Sequence, residues 1–169
     1  MSLALRMRKH RGGNSLVELV VATVIIGVLL VAALQAVGQS LLSQARTADL
    51  VQSQALARTL LAEILDKSYQ EPGATNLPLG LDAGETAGNR NTYDDADDYH
   101  GLNESPPAGA DGIAIAAYAV WTRSVTVTWV DPATLAQTGA ESGAKEVIVS
   151  ITHNGMAAGS AIGYRTSAP

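Results

Sequence analysis

The chain has 169 residues, 47% of them hydrophobic, with a formal charge of −5 and no cysteine. So apolar a composition excludes wholesale disorder, and the acidic balance argues against nucleic acid as a partner. Without cysteine, an exported domain would have to be held by its core or its neighbours rather than by disulfides.

Residues 1–13 carry Arg6, Arg8, Lys9 and Arg11 and end in Gly12 and Gly13. They read as a leader that is removed and stands outside the fold, with charges that hold this end in the cytoplasm. From Leu16 to Val37 only Glu18, Thr23, Gly27 and Gln35 interrupt a run of Ala, Val, Ile and Leu, and no charge follows Glu18 until Arg46. A bilayer crossing needs about 20 mostly apolar residues, so 16–37 is predicted to span a membrane. Within such a segment a carboxylate costs roughly 2.5–3.5 kcal/mol, which makes Glu18 a functional candidate by default.

One helix is predicted over 14–67. Asn14 or Ser15 caps it, Glu18 sits in the first turn where the macrodipole favours an anion, and nothing breaks the pattern before Pro72 and Gly73. Gly27 and Gly38 are its flexible points, each costing about 1 kcal/mol relative to alanine. Beyond Val37 the helix turns amphipathic: Leu56, Leu60 and Ile64 recur four apart beside Leu61 and Leu65, with Arg46, Asp49, Gln52, Arg58, Glu63 and Asp66 on the remaining surface.

Residues 68–117 are rich in Gly, Pro, Asn and Asp and read as loop. They contain the densest polar cluster, in which Asp94, Asp95, Asp97 and Asp98 lie between Tyr93 and Tyr99. Carboxylates this close must be solvated or neutralised. A solvated acidic loop is the leading expectation, with a calcium site second and a partner contact third. The spacing is not that of an EF-hand, since Tyr99 falls at the fifth position counted from Asp95.

An antiparallel sheet is predicted over 118–169. Its first strand places Ala119, Trp121, Val125, Val127 and Trp129 on one face and Thr122, Ser124, Thr126 and Thr128 on the other, with Arg123 as the exception on the apolar face. A second strand carries Val147, Val149 and Ile151 opposite Glu146, Ser150 and Thr152, with Asp131 to Ala144 as the hairpin connection. A shorter third strand runs from Ser160 to Thr166, and His153, beside Asn154 and Gly155, is a turn residue between the two. The fold class is therefore α+β, a long amino-terminal helix on a small antiparallel sheet. His100 and His153 stand in no catalytic motif, so an enzyme is not expected.

The stretch Arg11, Gly12, Gly13, Asn14, Ser15, Leu16, Val17, Glu18, Leu19 and Val20, followed by Ala22, Val24, Ile25, Ile26 and Gly27, resembles the class III signal of type IV pilins and type II secretion pseudopilins. The resemblance implies cleavage between Gly13 and Asn14 by a membrane peptidase that also methylates the new Asn14 amine. It implies that Glu18, fifth after the cut, pairs with that amine during filament assembly. The partners it implies are other pilin or pseudopilin subunits, the prepilin peptidase/methyltransferase, an inner-membrane assembly platform and membrane lipid. The domain after the helix would lie in the periplasm and later in a filament there or at the cell surface.

Two departures stand out. Asn14 replaces the usual phenylalanine or methionine, and no proline kinks the apolar half; the latter leans towards a minor pilin or minor pseudopilin. The run from Asp94 to Gly101 is similar to a segment in minor pilins of the mannose-sensitive haemagglutinin type. The alternative is a membrane-anchored or exported periplasmic binding module whose acidic loop takes calcium. A conventional signal-peptidase site at Val31, Ala32 and Ala33 would give the exported form.

Overall fold

The computed structural model describes residues 15–71, 73 and 78–167. Helix α1 spans Leu16–Leu65, and four strands follow it: β1 Asn103–Glu104, β2 Trp121–Trp129, β3 Ala144–His153 and β4 Met156–Thr166. By contact pattern the chain forms two units, Met1–Ala45 and Arg46–Pro169. Gly27 and Gly38 lie within the continuous helix, with open space where a Cβ would be.

In the second unit the carboxy-terminal part of α1 buries Ser53, Leu56, Ala57, Leu60, Leu61 and Ile64. That spacing gives a single stripe at helical period. The sheet it covers has the order β1-β2-β3-β4, every pair antiparallel. Val125, Val127, Val147, Val149 and Ile151 meet the helical stripe in one core with Tyr93, Tyr99, Leu102 and Trp121.

Close approach of helix to sheet depends on what β4 omits. A Cβ on Gly159 would stand 2.6 Å from Ser53 Oγ and 3.2 Å from Ser53 Cβ, and one on Gly163 would stand 2.8 Å from Leu65 Cδ1. The absent side chain at Gly159 lets the Ser53 hydroxyl donate to the Ala158 carbonyl at 3.0 Å. Asn154 and Gly155, at φ 52° and 76°, close the β3–β4 hairpin between paired His153 and Met156, the left-handed pair that a two-residue I′ turn requires.

The helix ends at Leu65, before the predicted Lys67. The chain leaves it because Ser68 is taken up by the acidic segment: Ser68 N donates to the Asp94 carbonyl at 3.3 Å and Ala96 N to the Ser68 carbonyl at 3.0 Å. Ala119 is not on the apolar face of β2; it is exposed and follows a 3₁₀ turn at Ala116–Tyr118. The third strand starts four residues before Ser160, at Met156, because the Asn154–Gly155 turn begins it at once. His153 is the last residue of β3; its ring stacks on Trp121 at 4.2 Å and lies 3.2 Å from Asp49 Oδ2.

The region 68–117 is irregular but pinned by buried charge. Glu104 on β1 accepts from Arg90 and from Arg123, and Arg90 Nε also donates to Glu63 Oε1 on α1 at 2.9 Å. The carbonyl of Ala108 accepts from both guanidinium groups, at 3.3 and 2.9 Å. Burial works against the Glu63 carboxylate, but Arg90 and the Tyr99 hydroxyl outweigh it and hold its pKa below the ordinary value. Arg123, the exception on the apolar face of β2, is thus a buried cation with its counter-charges.

Two substitutions test this packing through the fluorescence of Trp121 and Trp129 during thermal unfolding. Gly159→Val should destabilise by about 1–3 kcal/mol through overpacking against Ser53, whereas Gly139→Val, with nothing within 4 Å of its Cβ position, should leave the midpoint unchanged. Arg123→Met should cost about 3–5 kcal/mol by leaving Glu104 buried with one partner fewer.

Candidate functional site: the apolar helix and the acidic cluster

In the first unit every described residue of α1 is exposed, including Leu16 at 78% and Leu34 at 73%. Surface this apolar is stable only in lipid or against other apolar surface. The helix is long and apolar enough to cross a membrane. Thr23 satisfies its hydroxyl within the helix, donating to the Val20 carbonyl at 2.8 Å. Glu18, in the first turn of α1, is the one ionisable side chain between residues 15 and 45. Gly13 and Asn14 lie outside the described residues.

The acidic cluster is not a solvated loop. Asp95, Asp97 and Asp98 are buried and only Asp94 is exposed. Asp97 is matched by Lys145, whose Nζ also donates to the Tyr69 carbonyl at 2.5 Å and lies over the Tyr69 ring. Asp95 and Asp98 cap one turn reciprocally: Asp95 Oδ1 accepts from the amides of Asp97 and Asp98 at 2.8 and 3.3 Å, and Asp98 Oδ2 from those of Asp94 and Asp95, both at 2.9 Å. This is the exchange of a capping box. From a separate segment Asp82 approaches Asp95 and Asp98, and Glu85 approaches Asp94 and Asp98. One carboxylate oxygen each from Asp82, Asp95 and Asp98 lies within 4.8 Å of the others, as does one each from Glu85, Asp94 and Asp98.

Residues 8–34 match the family model of the prokaryotic N-terminal methylation motif. The chain carries a prepilin-type signal. Comparison with curated proteins and with solved structures finds no match. The prepilin motif covers the Gly13–Asn14 junction, Glu18 and Val31 to Ala33, and it coincides with the part of α1 whose apolar surface is uncovered. A long apolar helix packed on a four-stranded antiparallel sheet is the pilin-like arrangement that goes with it.

Sequence reasoning missed Asp82 and Glu85, which no spacing ties to the Asp94–Asp98 run. It also missed the acceptors of Arg123; a lone cation on an apolar strand face was the available signal that a buried carboxylate must lie opposite.

Burial, with Asp97 close by, pushes Asp95 up to about 8, and burial, with Glu85 close by, pushes Asp98 up to about 7. A raised aspartate binds its proton more tightly folded than unfolded, so its contribution is complete below the ordinary value near 4 and is lost as pH rises towards 8. In metal-free buffer the melting temperature read by Trp121 and Trp129 should therefore fall between pH 5 and pH 8. Asp98→Asn should flatten that slope.

Proposed function

We propose that the chain is a structural subunit, of the minor class, in a type IV pilus-like or type II secretion pseudopilus filament. The observation that carries the proposal is the coincidence of the prepilin motif with a helix segment whose entire apolar surface is uncovered. Such a segment suits lipid before assembly and neighbouring helices afterwards. The four basic residues before it favour a cytoplasmic leader and a single crossing, with the sheet unit in the periplasm. The peptidase cuts after Gly13 and methylates Asn14, and an assembly platform extracts the mature chain into a filament.

Glu18 then has a partner that exists only after cleavage. In low dielectric the new amine of Asn14 and the Glu18 carboxylate each carry a desolvation cost, and their pairing offsets it; at about 4 Å and an effective dielectric of 20 the attraction is roughly 4 kcal/mol. The pair sets the axial register of one subunit against the next.

Glu18→Ala should therefore leave membrane insertion and leader removal intact while lowering incorporation into filaments at least about tenfold, each tenfold corresponding to about 1.4 kcal/mol. Immunoblots of sheared filament and membrane fractions measure this, and undiminished incorporation would sink the register role. The mass of the mature amino terminus separates the processing routes: a start at methylated Asn14 supports the proposal, and a start at Leu34 replaces it with an exported binding module.

A further inference from the structure

Asp95 and Asp98 are 0% and 2% exposed. Each spends one oxygen on the backbone amides of its own turn, while Asp95 Oδ2 and Asp98 Oδ1 are buried with no hydrogen-bond partner among the described residues. Two more oxygens share that condition, Asp82 Oδ2 and Glu85 Oε1, and the other Glu85 oxygen is committed to the Asp82 amide at 2.7 Å. Four carboxylates thus arrive from two segments of chain, each with a buried oxygen that has nothing to accept.

A buried polar atom without a partner is costly. Lys145 gives the set no hydrogen bond, because its ammonium donates to Asp97 and the Tyr69 carbonyl. We infer that Asp82, Glu85, Asp95 and Asp98 form a binding site for a hard divalent cation of the calcium class, with Asp94 at its exposed edge. Oxygens sharing one calcium ion at 2.3–2.6 Å can stand no more than about 5 Å apart, and oxygens of Asp82, Asp95 and Asp98, and of Glu85, Asp94 and Asp98, lie within 4.8 Å of one another. An all-carboxylate donor set of this kind, free of sulfur and imidazole, selects calcium over zinc or copper.

The set differs from the run that the sequence marks. Asp97 lies inside the run but outside the site, neutralised by Lys145. Asp82 and Glu85 lie outside the run but inside the site. Bound metal would fasten the segment around residues 82–85 to the Asp94–Asp98 turn, a cross-link in a chain that has no cysteine to make one.

The test uses the full chain in detergent micelles, stripped with EDTA and titrated with calcium alone. Bound calcium is read by atomic emission after gel filtration, and unfolding by the fluorescence of Trp121 and Trp129. One calcium per chain is expected, with Kd about 10⁻⁵–10⁻³ M and a melting temperature raised by about 5–10 °C at a hundredfold excess over Kd. Asp82→Asn and Glu85→Gln should each weaken Kd at least about tenfold while melting in EDTA no lower than wild type, since each removes a like charge. Absence of bound calcium and of any shift in the wild-type chain would overturn the inference. So would unchanged affinity in both variants, which would place the ion elsewhere.

Discussion

The Arg46–Pro169 unit depends on one buried carboxylate, that of Glu104, held between Arg90 and Arg123. Through these partners it joins β1 to β2, and through Arg90 it reaches Glu63 on α1. Two guanidinium groups against two carboxylates leave the assembly neutral, and the Ala108 carbonyl absorbs donors that would otherwise be unsatisfied. An ion group of this kind yields little net stability over a well-packed apolar core, but loss of any member leaves a charge stranded. It therefore restricts the chain to one arrangement in a region where no long strand or helix does so.

That division of labour explains how much of the fold was legible. Sheet and helix are written in periodic side chains: Val125, Val127, Val147, Val149 and Ile151 alternate, and Leu56, Leu60 and Ile64 recur at helical spacing, so each element could be placed without knowledge of its partner. The region 68–117 has no such period. Its order comes from pairs distant in sequence, Arg90 with Glu63, Lys145 with Asp97, Tyr69 with Glu141, and a chain of Gly, Pro, Asn and Asp gives no local sign of them. The helix end shows the same limit. Propensity would carry α1 to Lys67, but Ser68 is claimed by backbone pairing with the acidic segment.

The site was legible in unequal parts. Glu18 stands out because it alone is charged in an apolar run, and its distance from Gly13 is a feature of the sequence itself. The acidic cluster was visible as composition but not as structure. Four aspartates in five positions suggest a solvated surface, yet two of them fold their carboxylates back onto their own turn and a third is covered by Lys145. Burial of this kind follows from Tyr93 and Tyr99, whose rings pack edge to face at 5.0 Å in the core and draw the intervening residues inward.

A single helix thus carries two surface patterns. Through Val37 its side chains are apolar almost all round, the signature of a segment meant to be surrounded; beyond it polar residues enter the surface, and from Ser53 to Ile64 one stripe is buried, the signature of a segment that covers a sheet. The change in pattern is a change of solvent, and it makes opposite demands on substitution. In the second part a new methyl group at the sheet contact meets Ser53 or Leu65, because the surface is already matched. In the first part every described side chain is exposed, so the tolerance of each position is not set by packing among the described residues. Substitutions there should register in insertion or assembly while leaving the unfolding of the sheet unit untouched, which is the behaviour of a subunit whose domain and whose association are encoded separately.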